Sequence, residues 1–271
     1  MREAIGGLDE RRDERMKVVI LAGGMGSRIS EESHLKPKPM IEIGGRPILW
    51  HIMKIYSHYG FNDFIICCGY KGHMIKEYFI DYYMNESDIT VDLSNNDVQI
   101  HQNASEPWKV TLVNTGLYTP TAGRIKQVMK YTGNEPFMMT YGDGVSDVNI
   151  PELLKFHKEN GKIATITAAK PAGRWGAIQI DNEKHIVTTF KEKDKVDQSY
   201  VNAGFAVFNP EIAKYLDENY MLETLPYERL TEDEQMAAYQ HDGFWYPMDT
   251  IRDRDYLENE WSSGEAPWKL W

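Results

Sequence analysis

The chain has 271 residues, of which 42% are hydrophobic, enough for one large α/β domain or two small ones. Its net charge of −11, from 30 basic and 41 acidic residues, argues against a nucleic-acid-binding protein, which carries a basic face. No apolar run approaches the roughly 20 residues that span a membrane, and the charged N-terminus lacks a signal peptide's apolar core.

Residues 1–15 mix both charge signs without apolar periodicity and read as a flexible leader, with Met16 as the natural start. From there on, strand and helix patterns alternate. The apolar runs Val18–Leu21, Phe64–Cys68, Phe137–Thr140 and Ile163–Ala168 predict buried strands of a largely parallel sheet. Between them, Pro47–Tyr59, Gly72–Tyr83 and Ile150–Asn160 have helical spacing. Cys67 and Cys68 are adjacent in an apolar strand and read as core thiols, which makes the cytoplasm the expected compartment. Ile178–Phe190 alternates around an Asp-Asn turn and predicts a hairpin lying on the sheet; Val201–Phe208 is a further strand, and Pro210–Glu218 starts a helix. With no repeat and no linker, residues 16–271 read as a single domain with a C-terminal arm. The fold class is α/β: a Rossmann-like three-layer α/β/α sandwich with a mixed, mostly parallel sheet and a small β-rich insertion.

The sharpest functional signal lies at Met16–Met40. The strand Val18–Leu21 empties into Gly23-Gly24-Met25-Gly26-Ser27-Arg28, and Lys36-Pro37-Lys38-Pro39 follows. Glycines leave backbone N–H groups open to a phosphate, and the lysines add charge nearby, so the site expects a polyphosphate. A Walker-type loop needs a lysine followed by Ser or Thr, which Gly26-Ser27-Arg28 does not supply. A dinucleotide fingerprint lacks its third glycine at Ile29, although Glu42 stands near the position of a ribose-binding acid. A nucleotidyltransferase signature fits better, and a purely structural turn is the bland alternative.

Acidic residues at strand ends form a second constellation. Phe137–Tyr141 runs into Gly142-Asp143-Gly144, and Asp249 follows the aromatic run Phe244–Met248. Ligands in open α/β sheets bind outside the carboxyl ends of strands, and Mg²⁺ needs only one or two carboxylates besides phosphate oxygens. Either aspartate alone reads more often as a turn residue or helix cap; together with the phosphate turn, the pair favours Mg²⁺. Arg124 suits a nucleotide contact or a helix cap; Glu192-Lys193 suits a second substrate or a solvated charge run. Asn202 at a strand start suits sugar hydroxyls, and Arg174-Trp175-Gly176 suits sugar stacking or a surface turn. The histidines show no zinc-ligand spacing.

In order, LAGGMGSR, KPKPM, TYGDGV, FKEK, NAGF and FWYPMDT give a chain that resembles the sugar-1-phosphate nucleotidyltransferase family from Met16 onward. Ser30-Glu31-Glu32-Ser33 stands where relatives using UTP or dTTP carry Arg-Pro, and this is similar to the cytidylyl branch. So are Ile48–Gly72, the EPWKVTLVNTG run and the closing APWKLW.

The resemblance implies transfer of a cytidylyl group from CTP to α-D-glucose 1-phosphate, giving CDP-glucose and pyrophosphate with Mg²⁺, for nucleotide-sugar and polysaccharide biosynthesis. It implies that Leu21, Ala22, Gly23, Gly24, Met25, Gly26, Ser27 and Arg28 wrap the nucleotide, with Lys38 favoured over Lys36 at the phosphates. Thr121, Arg124 and Gly142 hold the cytidine, Asp143 and Asp249 the metal, and Glu192, Lys193 and Asn202 the sugar phosphate. Arg28, Lys38 and Lys193 are the expected catalytic cations. A homo-oligomer is implied, with a hexamer among its forms; Trp261, Trp268 and Trp271 either serve that interface or pack on their own subunit. A transferase using UTP or dTTP, a GT-A-like glycosyltransferase and a non-catalytic nucleotide sensor are the rivals. Asp143-Gly144-Val145 lacks the second acid of the glycosyltransferases' Asp-x-Asp pair.

Overall fold

A computed structural model describes residues 16–26, 29, 32, 34–103, 105–170, 177–181, 183–191 and 200–271. The leader 1–15 and the segment Arg174-Trp175-Gly176 lie outside them. In chain order the elements are β1 (Lys17–Ala22), β2 (Glu42–Ile43), β3 (Arg46–Pro47), α1 (Ile48–His58), β4 (Asp63–Cys68), α2 (Gly72–Asn85), β5 (Ser87–Asp92), β6 (Asp97–Asn103), β7 (Lys109–Asn114), α3 (Thr121–Thr132), β8 (Phe137–Tyr141) and β9 (Gly144–Ser146). They continue with α4 (Ile150–Asn160), β10 (Ala164–Ala169), β11 (Ala177–Asp181), β12 (Ile186–Lys191), β13 (Val201–Phe208), α5 (Leu225–Glu232), β14 (Met236–His241), β15 (Trp245–Pro247) and α6 (Ile251–Ser263).

Among the described residues, nine strands form one sheet in the order β11-β12-β14-β10-β13-β8-β1-β4-β7. β8, β1, β4 and β7 are parallel neighbours, as are β10 and β14, whereas β13 runs antiparallel between β8 and β10. Burial on both faces is why β1 reads as the unbroken apolar run Val18–Ala22. Val18 and Ile20 enter one core with Ile52 of α1, Leu153 of α4 and Leu257 of α6; Val19 and Leu21 enter the other with Ile125 of α3 and Leu230 of α5. The result is the expected three-layer sandwich.

Three expectations are revised. The hairpin β11–β12 does not lie on the sheet but extends its edge, through Ile186 opposite Ala237 of β14. The run from Pro210 makes only a 3-10 turn, Pro210–Lys214, although Ile212 and Leu216 still reach the core. The small β insertion includes an unanticipated hairpin, β5–β6, paired as a separate two-stranded sheet.

The C-terminal tryptophans pack on their own chain. Trp268 is fully buried, and its Nε1 donates to His51 Nδ1 at 3.4 Å. His51 Nε2 donates to the Ile43 carbonyl at 2.8 Å, so both ring nitrogens are occupied only when the ring is neutral. Trp261 meets the His51 ring edge-on at 4.6 Å, and Trp271 meets Trp50 at 5.7 Å. Burial pulls the His51 pKa down to about 4.

Candidate active site

The candidate site lies where β1 and β8 end at the same edge of the sheet. Gly142 N donates to the Leu21 carbonyl at 3.0 Å, which joins the glycine turn to the strand end carrying Asp143. β9 and β15 then pair with Gly144 opposite Pro247, and Met248 N donates to the Asp143 carbonyl at 2.8 Å. That short ladder brings Asp249 beside Asp143 across more than a hundred residues of sequence. The backbone of Asp249 is fixed by the cap of α6: Asp253 accepts from Asp249 N at 3.1 Å and from Thr250 N at 2.8 Å. Thr250 and Asp253 form a reciprocal capping box.

Lys38 enters from a 3-10 turn, Lys38–Met40, behind Pro37. Its ammonium donates to Asp143 Oδ2 at 2.6 Å and to Asp249 Oδ1 at 2.7 Å. Burial works to lower the Lys38 pKa, but the two facing carboxylates outweigh it and hold it above its ordinary value. Lys36 turns away onto the exposed Glu42 at 2.7 Å, so the structure separates the two lysines and also occupies the acid that a dinucleotide site would use. Two carboxylates around one cation suit a hard divalent ion that draws its remaining ligands from phosphate and water. Among the described residues, no third acidic, histidine or cysteine side chain joins them in a cluster able to hold a metal alone.

The glycine turn is braced from below by Arg124. This buried guanidinium donates to Thr115 Oγ1 at 2.6 Å, the Gly23 carbonyl at 3.1 Å and the Leu117 carbonyl at 3.2 Å. A Cβ on Gly23 would stand 2.1 Å from Arg124 Nη1, so a larger residue there would push the guanidinium off its partners. Arg124 is therefore committed to the loops around the turn, and burial pulls its pKa below the ordinary guanidinium value. Gly24 faces open space, and Leu21 and Ala22 have buried side chains, which leaves only their backbone for a ligand. Thr121 is likewise engaged. Its hydroxyl accepts from Leu222 N at 2.6 Å and donates to Glu223 Oε2 at 3.1 Å.

On the other side of Asp143, a recess is lined by Tyr141, Asp143, Asn202, Ala203, Trp245 and Pro247. Asn202 Oδ1 accepts from Gly204 N at 3.0 Å, which shapes the start of β13. Gly204 has φ +84°, and a Cβ there would stand 2.4 Å from the Tyr141 ring. Tyr141 also donates its hydroxyl to Glu223. Glu223 and Trp245 were not singled out by sequence; Glu223 sits in a loop without any motif, whereas the aromatic run around Trp245 was visible but carried no role. Ser27, Arg28, Glu192 and Lys193 lie outside the described residues. Cys67 and Cys68 are buried, and burial pushes the Cys68 thiol up to about 11 and Cys67 higher, so neither serves as a thiolate at neutral pH.

The family profile described as Nucleotidyl transferase matches residues 17–258. The glucose-1-phosphate cytidylyltransferase of Salmonella typhi is 51% identical over 258 residues, spanning 94% of this chain and 100% of that protein. The probable glucose-1-phosphate cytidylyltransferase of Bacillus subtilis (strain 168) is 43% identical over the same shares of the two chains. Among solved structures, a UDP-glucose pyrophosphorylase complexed with UDP-glucose matches with a TM-score of 0.71 at 16% identity, covering 92% of this chain and 99% of that one. At that identity the likeness concerns the fold.

Proposed function

We propose a reaction from the premise that those matches establish: the chain belongs to the nucleotidyl transferase family. We infer that it transfers a cytidylyl group from CTP to α-D-glucose 1-phosphate, releasing pyrophosphate and leaving CDP-glucose. The choice of CTP and glucose 1-phosphate rests on the names of the relatives at 51% and 43% identity. The observation that carries the chemistry is the meeting of Lys38, Asp143 and Asp249 beside the glycine turn.

A phosphate oxygen of the sugar phosphate attacks the α-phosphorus in line. The new O–P bond forms as the bond to the leaving pyrophosphate breaks, and pyrophosphate keeps the electron pair. A sugar phosphate is already ionised at neutral pH, so no general base is required. Catalysis is then positioning and charge neutralisation. The turn Gly23–Gly26 offers backbone donors to the nucleotide phosphates, and Arg28 and Lys38 offset charge on the leaving group. Lys193 draws the anionic nucleophile toward an anionic target. Glu192 and Asn202 hold the sugar phosphate, with Asn202 on the wall of the recess beside Asp143. Arg124 and Thr121 serve the nucleotide side indirectly, by fixing the turn and the start of α3, and Gly142 by its tie to Leu21. Asp143 and Asp249 would hold Mg²⁺, which when bound supplies charge neutralisation at phosphate oxygens.

We read residues 16–271 as one nucleotidyltransferase domain, and the cytoplasm as its compartment. A homo-oligomer, of which a hexamer is one form, is supported by the half-exposed apolar pairs Ile89–Ile100 and Val91–Val98 on the hairpin β5–β6.

The test is pyrophosphate release from glucose 1-phosphate and Mg²⁺, with CTP, UTP, dTTP and ATP offered in parallel. CTP should be strongly preferred, and Asp143→Asn should lower kcat by about 10²–10³ while the chain stays folded. Preference for another nucleotide would discard the cytidylyl reading. Full activity in a folded Asp143→Asn chain would discard the site.

A further inference from the structure

Two ionised carboxylates facing one another in a partly buried seat are costly unless a cation or a shared proton lies between them. Like charges at this separation repel strongly once water is excluded, and desolvation adds to the cost. The chain solves this internally. Lys38 is only 8% exposed, and its ammonium sits at hydrogen-bond distance from both Asp143 and Asp249. Among the described residues, Lys38 sets one positive charge between the two carboxylates. The ammonium therefore offsets the repulsion between the two carboxylates.

The surroundings are asymmetric. The Asp143 side chain is 32% exposed, against 13% for Asp249 and 10% for Lys38, so the seat opens to solvent on the Asp143 side. The backbone on every side is tied down: Met248 N to the Asp143 carbonyl, Asp249 N to Asp253, and Met40 N to the Pro37 carbonyl at 2.8 Å. What can move is the Lys38 side chain, four carbons long with a rotatable bond at each. An ammonium and a divalent cation cannot both occupy the space between the same two oxygens.

We propose that Lys38 is the resident counter-cation of the Asp143–Asp249 pair, and that a divalent cation binds only by exchange, displacing the ammonium from both carboxylates. This rests on the reading of Asp143 and Asp249 as the metal-binding pair. Exchange makes the metal weak on its own, because each binding event breaks two charge-assisted hydrogen bonds. A nucleotide triphosphate reverses the balance, since its phosphates accept the expelled ammonium while also ligating the metal. Lys38 thus couples the two bindings: metal frees the lysine for the phosphates, and phosphates give it a destination. The ammonium that holds the resting site together becomes the cation for the leaving pyrophosphate, without any backbone rearrangement.

The experiment is Mn²⁺ binding to the full chain without nucleotide, read from loss of the free-ion paramagnetic resonance signal. Lys38→Met should bind Mn²⁺ on the order of tenfold more tightly than the unaltered protein, the factor that corresponds to about 1.4 kcal/mol. Adding Asp143→Asn to Lys38→Met should abolish that gain. Lys38→Gln repeats the measurement should Lys38→Met not fold, and melting with and without Mn²⁺ should show the larger metal-induced stabilisation in the lysine-free chain. Equal or weaker Mn²⁺ binding in the folded lysine variants would overturn the exchange. If Asp143→Asn nevertheless weakened Mn²⁺ binding in the presence of CTP, the metal pair itself would stand. If neither Asp143→Asn nor Asp249→Asn altered Mn²⁺ binding with or without CTP, the metal reading would fail, and the exchange with it.

Discussion

Acid should weaken the fold most sharply at His51, and the size of the effect follows from its burial. An unfolded histidine takes up its proton near 6.5, whereas in the fold burial holds His51 neutral until about 4. Between those values the unfolded chain binds the extra proton, so stability present above about 6.5 is lost as pH falls toward 4. Two and a half pH units at about 1.36 kcal/mol each amount to about 3 kcal/mol, a large share of the 5–15 kcal/mol typical of a whole domain. A protonated ring can no longer accept from Trp268 Nε1, so the damage starts in the tryptophan cluster under the C-terminal arm. The assay is denaturant unfolding followed by tryptophan fluorescence at a series of pH values from neutral to about 4. His51→Gln should be less stable at neutral pH yet show a pH dependence shallower by about 3 kcal/mol. Parallel pH profiles for the two proteins would refute the assignment of this proton uptake to His51.

Two further outcomes test the architecture around the site. Arg124→Met removes the donors that hold Thr115, Gly23 and Leu117 and should raise KM for CTP about tenfold, the equivalent of one charge-assisted hydrogen bond, in initial-rate assays; an unchanged KM would mean the turn holds its shape without the guanidinium. Gly204→Ala forces a Cβ toward the Tyr141 ring at positive φ and should cost about 2 kcal/mol of stability while raising KM for glucose 1-phosphate. A melting temperature and KM equal to those of the unaltered protein would show that the wall of the recess is softer than this packing implies.

The central strands were legible because burial on both faces writes an unbroken apolar run, as in Val18–Ala22 and Phe64–Cys68. α4 was equally plain: Asn149 caps it, Pro151 opens it and Gly161 ends it with φ +61°. The β5–β6 hairpin alternates in sequence around Asn95-Asn96, but its apolar residues Ile89, Val91, Val98 and Ile100 stay half exposed and do not enter the core, so the alternation there does not mark a core strand. In the site, Gly142-Asp143-Gly144 and Asp249 announced themselves by their turns. The contact of Lys38 with both aspartates could not be read from sequence, because it depends on pairings across 105 and 211 residues. Arg124 reads in sequence as a ligand to the nucleotide or a cap, and only the packing under Gly23 shows it serving the loop. Glu223 gave no signal at all, since a lone acid in a loop acquires meaning only from the Thr121 and Tyr141 hydroxyls that reach it.

The reversed strand β13 has a consequence for how such a protein diversifies. To one side of it, β8, β1, β4 and β7 carry the glycine turn and the loops around Arg124; to the other, β10, β14 and the hairpin β11–β12 build a separate wing. The first half handles the nucleotide in our reading, and β13 itself delivers Asn202 to the sugar side. Substitutions that retune one specificity therefore fall on loops that do not share a strand with the other. Among the described residues, Tyr141 and Asp143 line the recess from the nucleotide half, and Glu223 ties Tyr141 to Thr121, so these belong to both halves. A lineage built on this plan can change its base or its sugar one at a time, so long as that seam is left alone.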